Sequence, residues 1–241
     1  MNIARYVCAC AVLLATSTVS HAQSAGTFFA TAGWFHFAPQ DSSTPVRVTS
    51  LGGVPVNVTI PNTGAGVSSA DTAGFTAGYF ATDHIAAEFE FGFPPTFDVN
   101  GTGIWSRYGK IGSVKQYSPA LLLKYFFFDA QAKFRPFVGI GVTRTSFSDA
   151  KITNQSFEAT ALGGTTSAEA STVWAPVFNI GVSYAFTQHW FAAFSVSYIP
   201  MSTTGTFTTQ TQTPAGPVTR RSESKLTIDP IVTFLRVGYR F

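Results

Sequence analysis

The chain ends on Leu235-Arg236-Val237-Gly238-Tyr239-Arg240-Phe241, and no other stretch restricts the fold as much. Apolar residues alternate with charged or small ones, which is the pattern of a strand between two unlike surroundings. Leu235, Val237, Tyr239 and Phe241 share one face; Arg236, Gly238 and Arg240 share the other. In a water-soluble sheet an exposed apolar edge at the end of the chain is an aggregation hazard. A closed barrel has no such edge, and lipid covers its apolar face.

The composition agrees. Only 11% of the residues are charged and 15% are aromatic, and the mean hydropathy is positive. Yet no stretch beyond the first 22 residues approaches the ~18 uninterrupted apolar residues of a membrane-spanning helix. That leaves a soluble β-protein with a large core or a transmembrane barrel. The formal net charge is +3 without any basic run, which argues against nucleic acid as a partner. At the start, Arg5, the apolar residues 6–15 and Ser20-His21-Ala22 have the layout of an export signal, too short in its apolar part to serve as an anchor. The expected organisation is therefore a cleaved signal peptide over 1–22 and one barrel domain over 23–241. Cys8 and Cys10 both lie in the leader, so the mature domain relies on no disulfide.

Period-2 patterning predicts eight strands, near 27–37, 70–81, 84–93, 114–128, 135–147, 173–186, 190–202 and 226–241. Each reaches or approaches the nine to eleven residues with which a tilted strand crosses the hydrocarbon. The connections alternate. Residues 38–69, 94–113, 148–172 and 203–225 are long and rich in Gly, Ser, Thr, Pro and Asn, whereas Thr82-Asp83, residues 129–134 and Thr187-Gln188-His189 are short. Long loops at one end and short turns at the other are how outer-membrane barrels are built. The fold class is thus all-β: an eight-stranded antiparallel transmembrane barrel with long extracellular loops, short periplasmic turns and both termini periplasmic.

The faces carry the argument further. In 173–186, Trp174, Pro176, Phe178, Ile180, Val182, Tyr184 and Phe186 point one way, and Ala175, Val177, Asn179, Gly181, Ser183 and Ala185 the other. The first set suits lipid, with aromatics toward both interfaces. Likewise Ile85, Ala87, Phe89, Phe91 and Phe93 oppose His84, Ala86, Glu88, Glu90 and Gly92. The first strand, 27–37, is apolar on both parities and leaves its inward face open.

Three segments together are similar to one known family: Gly78-Tyr79-Phe80-Ala81-Thr82-Asp83-His84-Ile85-Ala86-Ala87-Glu88, Lys133-Phe134-Arg135-Pro136-Phe137-Val138-Gly139-Ile140-Gly141-Val142, and Val237-Gly238-Tyr239-Arg240-Phe241. In their order and spacing they resemble the OmpW family of outer-membrane proteins across essentially the whole mature chain. The resemblance implies an eight-stranded barrel with a narrow, partly apolar interior and a role in passing small hydrophobic molecules across the outer membrane. The chain departs from the family at His84, where Asn is usual, and over the long segments 38–69 and 203–225. The closing strand also resembles the C-terminal strand by which outer-membrane barrels are recognised for assembly. On that likeness Leu235, Val237, Tyr239 and Phe241 form an assembly signal, and the barrel assembly machinery is an expected partner.

On these parities six charges point inward: Glu88, Glu90, Lys124, Arg135, Arg236 and Arg240. Glu88 and Glu90 rise from a short turn and Lys124 lies just above the return to that end, so the three meet at similar depth. The set is either a charged constriction below an apolar pocket or an ion-pair network filling a small barrel, whose interior holds little more than side chains. Arg144 faces outward near the upper rim, placed either to meet lipopolysaccharide phosphates or to stand solvated above the membrane. His36 with Asp41 and Ser42 is the one grouping that suggests catalysis, and an interfacial His before a polar loop is the plainer reading. No His/Cys/Asp grouping has metal-ligand spacing, so neither a metal nor another cofactor is expected. The functional expectation is a non-enzymatic barrel that binds or passes small apolar ligands while contacting outer-membrane lipid and lipopolysaccharide. The alternative is a non-transporting envelope-stability or surface-interaction protein acting through its extracellular loops.

Overall fold

The structure, a computed structural model, describes residues 24–241. The expected leader, its cleavage point before Gln23, and Cys8 and Cys10 lie outside the described residues. Seventeen strands follow one another: β1 (Phe28–Ala38), β2 (Ser42–Ser43), β3 (Arg47–Leu51), β4 (Val54–Thr59), β5 (Thr63–Val67), β6 (Ala70–Phe80), β7 (Ile85–Gly92), β8 (Thr96–Gly103), β9 (Lys110–Tyr117), β10 (Ala120–Phe126), β11 (Phe134–Ile152), β12 (Thr165–Ala170), β13 (Val173–Ala185), β14 (Trp190–Tyr198), β15 (Ser202–Thr213), β16 (Gly216–Thr227) and β17 (Ile231–Arg240). A 3-10 turn covers Ser106–Tyr108 and a π-helical turn covers Phe157–Leu162.

Eight strands close a barrel in the order β10-β7-β6-β1-β17-β14-β13-β11, with β11 returning to β10 and every neighbour antiparallel. Each predicted run supplies one of these strands. The alternation of faces is the physical reason. Ile180 is 62% exposed and Leu121 57% on the outside, while Asn179 and Leu122, their chain neighbours, are buried. Closure satisfies the backbone without an edge, which a lipid-covered sheet requires. The ambiguous first strand resolves with Phe29, Thr31 and Phe35 inward and Phe28 and Trp34 outward. Its inward rings fit because the neighbouring strand offers bare backbone: a Cβ on Gly78 would collide with the ring of Phe29, and one on Gly74 with the ring of Phe35.

The short turns share one end of the barrel with both ends of the described chain. There the N–H of Phe241 bonds the carbonyl of Phe28 at 2.9 Å and that of Gly26 bonds Phe80 at 2.8 Å. Two turns use the same device. The Oγ1 of Thr82 accepts the N–H of Ile85 at 2.9 Å, and the Oγ1 of Thr187 accepts that of Trp190 at 2.9 Å. The Nδ1 atoms of His84 and His189 then bond the carbonyls of Phe126 and Arg240 on the adjoining strand, and each ring stacks on a tyrosine, Tyr125 or Tyr239.

The four long segments differ from expectation. They are not irregular loops but sheet that carries the barrel wall onward. β11 runs past the expected end at 147 to Ile152 and pairs with β9, which pairs with β8, and β8 with β5. On the other side β12, β15, β16, β3 and β4 form a second sheet, with β2 added to β16. These strands alternate weakly in polarity; Thr203 to Thr213 is almost all Thr, Gln and Gly. Three predicted runs also break. Ser118-Pro119 divides 114–128 into β9 and β10, residues 199–201 separate β14 from β15, and Ile228-Asp229-Pro230 divides β16 from β17. Proline lacks the ladder N–H, so strands end at Pro119 and Pro230.

Candidate functional site

The barrel strands bring four of the six inward charges together. Lys124 on β10 donates to Glu88 Oε2 at 2.7 Å and to Glu90 Oε1 at 2.9 Å, both on neighbouring β7. Register places Lys124 beside Ala86 and Glu88 beside Leu122, so the ammonium reaches diagonally along the wall. Arg236, from β17 across the lumen, donates to Glu88 Oε2 at 2.9 Å, Glu90 Oε1 at 3.2 Å and Thr76 Oγ1 at 3.0 Å. Two carboxylates thus share two cations in a neutral quartet whose members are 0–7% exposed. Charges so far from water persist because each is paired and hydrogen-bonded. The quartet spans the lumen from β7 and β10 to β17.

Arg135 and Arg240 sit apart from it, nearer the short-turn end. Arg135 donates to the carbonyls of Asp83 at 2.6 Å, Phe127 at 3.1 Å and Phe128 at 3.2 Å, and so ties two turns to the barrel floor. Arg240 is buried with its guanidinium 4.3 Å from the centre of the Phe191 ring.

Above the quartet the interior combines an apolar cluster with buried Gln116, Thr143 and Thr145. Phe35, Leu122, Val177, Ile199, Met201, Val232 and their neighbours form one cluster, with Phe35 stacked on Phe234 at 3.7 Å. At the long-loop end the two extension sheets and the π-helical turn enclose a cavity of about 120 Å³, almost wholly apolar, against Val46, Trp105, Ile111, Phe157 and Leu162. Trp105 and Phe157 meet edge to face at 5.0 Å, and Arg220 donates to the Leu162 carbonyl at 2.6 Å.

A second cavity, about 50 Å³, lies lower and touches Gln116, which also borders the first. Glu90 of the quartet is part of its lining, so it rests on the charged layer. Its lining crosses the wall. Phe35, Val177 and Val232 come from inside the barrel, whereas Phe91, Phe93 and Tyr117 stand on the outer face and are 37%, 64% and 43% exposed. The wall is interrupted here. The β7–β10 ladder stops at the pair Glu90–Ala120; above it come Phe93-Pro94-Pro95 on one side and Ser118-Pro119 on the other. Gln116 N–H to the Pro95 carbonyl, at 3.2 Å, is the next link between them.

The remaining sequence candidates are placed as follows. Leu235, Val237 and Phe241 are exposed on the outer face, with Tyr239 packed between His189, Trp190 and Phe241. Arg144 is exposed, beside Trp174 in register. His36 is not joined to Asp41: its Nδ1 bonds Asp71 Oδ1 at 2.8 Å on the partly exposed outer side, while Asp41 accepts the N–H of Val67. Pro176, outward like Pro119, stays within the β11–β13 ladder opposite Val142.

A closed eight-stranded barrel with these extensions matches known proteins. A model of the OmpW family fits residues 24–241. The chain belongs to the OmpW family. Outer membrane protein W of Vibrio cholerae is 29% identical to it over 238 residues, covering 98% of each chain. The crystal structure of OprG from Pseudomonas aeruginosa has the same fold, with a TM-score of 0.75 at 24% identity over 90% of this chain and 97% of that one. A more distant relative is the dibenzothiophene metabolism operon protein PahQ of Pseudomonas aeruginosa, 25% identical over 187 residues, covering 76% of this chain and 77% of the relative. Membership places this OmpW-family barrel in the outer membrane, among its lipid and lipopolysaccharide.

The OmpW-family barrel also holds functional candidates that the sequence reading passed over. Val46, Trp105, Phe157 and Leu162 lie in segments read as loops, where isolated large apolar residues amid Thr, Ser and Gly were the available signal. Thr76 was hidden because an inward hydroxyl looks like filler until a guanidinium is found on it.

Proposed function

We propose that this OmpW-family protein takes up small apolar molecules at its long-loop end and releases them sideways into the membrane rather than through its floor. In this reading the long-loop end faces outside the cell, and the short turns and both termini face the periplasm. A ligand first settles in the apolar cavity at the mouth. Its size and lining compare with an engineered apolar cavity of about 150 Å³ that binds benzene. It next passes Gln116, which borders both spaces, into the lower cavity. The quartet then bars the axial path, since an apolar body cannot replace the pairing of four buried charges.

The observation that carries the reading is the lower cavity, lined from both faces of the wall at the level where the β7–β10 ladder stops. Proline on both sides leaves little backbone to re-pair across that gap. The relative named for a dibenzothiophene metabolism operon supports an aromatic or otherwise apolar cargo. Arg144 in this orientation lies at the level of lipopolysaccharide phosphates, and its guanidinium pairs with them.

Purified protein in liposomes tests the proposal. It is expected to bind a small apolar fluorescent probe, to speed its transfer into the bilayer, and to conduct ions only slightly. Large, steady ion conductance without probe binding makes the protein a porin-like channel and ends this reading.

A further inference from the structure

The charge balance of the lumen is incomplete at Arg240. The residue is 2% exposed, and no described protein atom accepts a hydrogen bond from its Nε, Nη1 or Nη2. The quartet cannot serve it, because both carboxylates are already divided between Lys124 and Arg236. Arg135 acts on it as a like charge. The Phe191 ring face offsets part of the charge but accepts none of the three N–H directions in the plane of the guanidinium.

A cavity of about 10 Å³ lies against this group, just below the quartet. Arg240, Arg236, Ser183 and Glu88 line it, with aromatic rings closing the rest. Arg236 has one donor, Nε, that likewise lacks an acceptor. The volume suits a single water-sized body, which excludes a phosphate or a carboxylate carrying a chain. Water accepts hydrogen bonds but brings no charge. A monatomic anion satisfies the donors and the charge together. Glu88 opposes it, yet that carboxylate is bonded by both quartet cations, while the guanidinium of Arg240 is bonded by no described carboxylate.

We propose that Arg240 and the Nε of Arg236 hold one dehydrated halide ion, chloride in the cell, as a built component of the barrel floor. The ion balances the charge of Arg240 and occupies the space beneath the quartet.

The test uses the whole protein folded in detergent. Melting of the barrel is followed at fixed ionic strength in sodium chloride and in sodium gluconate, whose anion is too large to enter. Chloride is expected to raise the Tm by about 2–4 °C, saturating with concentration as a single site does. Arg240→Gln should melt at the same temperature in both salts. Should that variant not fold, the wild-type protein still decides the matter: crystals grown in sodium bromide should show anomalous scattering within hydrogen-bonding distance of the Arg240 guanidinium. No bromide signal there, or wild-type melting that does not distinguish chloride from gluconate, overturns the proposal and assigns the cavity to water.

Discussion

Lys124 and Glu88 stand 36 residues apart in the chain and meet at 2.7 Å with neither side chain exposed to solvent. The contact belongs to a set of four, and the fourth member changes how the site responds to mutation. Lys124→Met leaves two carboxylates facing Arg236 alone and is expected to destabilise the barrel by about 3–5 kcal/mol, less where water reaches the lumen. Adding Glu90→Gln restores one acid to one base and should recover much of the loss. Neutralising both carboxylates should recover less, since Arg236 is then the unpaired charge. Urea titrations of the three variants in detergent check this order; equal stability of all three contradicts the shared quartet.

Gln116 borders both cavities. Gln116→Trp should block the step between them, so that a small apolar probe still binds at the mouth but its transfer into liposomes is largely lost. Unchanged transfer places the route elsewhere.

Gly78 provides the space occupied by the Phe29 ring. Gly78→Leu is expected to cost about 1–3 kcal/mol through overpacking. Phe29→Ala in the same chain should return part of that stability, because the new side chain then has a hole to fill. Denaturation of the single and double variants reads the coupling directly.

Phe241 extends the outward row of Leu235, Val237 and Tyr239 and is 72% exposed, so it adds little packing of its own. Its deletion should lower the amount of folded barrel in cells while the purified chain still folds in detergent. Heat-modifiable gel mobility measures both, and normal cellular assembly of the deletion counts against a recognition role.

Trypsin should cut slowly at Arg220, Arg221 and Lys225 in the folded protein. All three lie in β16, which is paired with β15 along its whole length and with β3 beside it. Rapid cleavage there, followed by mass spectrometry, shows that this sheet opens in solution.

The barrel was legible because lipid and lumen impose opposite demands on successive residues. In 173–186 every assigned face is the face observed, and Glu88, Glu90 and Lys124 were readable as neighbours from parity and strand order. Where that contrast fades, so does legibility. Both parities of β1 are apolar, and only Gly74 and Gly78 on the next strand, which no pattern within β1 reveals, decide which rings turn inward. The segment 203–225 is polar on both faces, so its strands escaped notice despite a Thr-rich composition favourable to sheet. Proline within a patterned run is no sure sign of a gap: Pro119 stands at the break in the wall, with Pro94-Pro95 opposite in a stretch read as loop, whereas Pro176 sits in an unbroken ladder. The repeated Thr82-Asp83-His84 and Thr187-Gln188-His189 turns were present as a sequence repeat, yet their bonds run to strands distant in the chain.

β1 and β17 lie side by side, with Phe29 opposite Arg240. β1 can pair with β6 early, but its other edge waits for the last strand of the chain. Until then that edge is an open template for pairing with other chains. Non-local pairing of this kind folds slowly for reasons of chain entropy. A chain truncated anywhere before β17 is accordingly expected to fail as a whole, not to yield a smaller barrel.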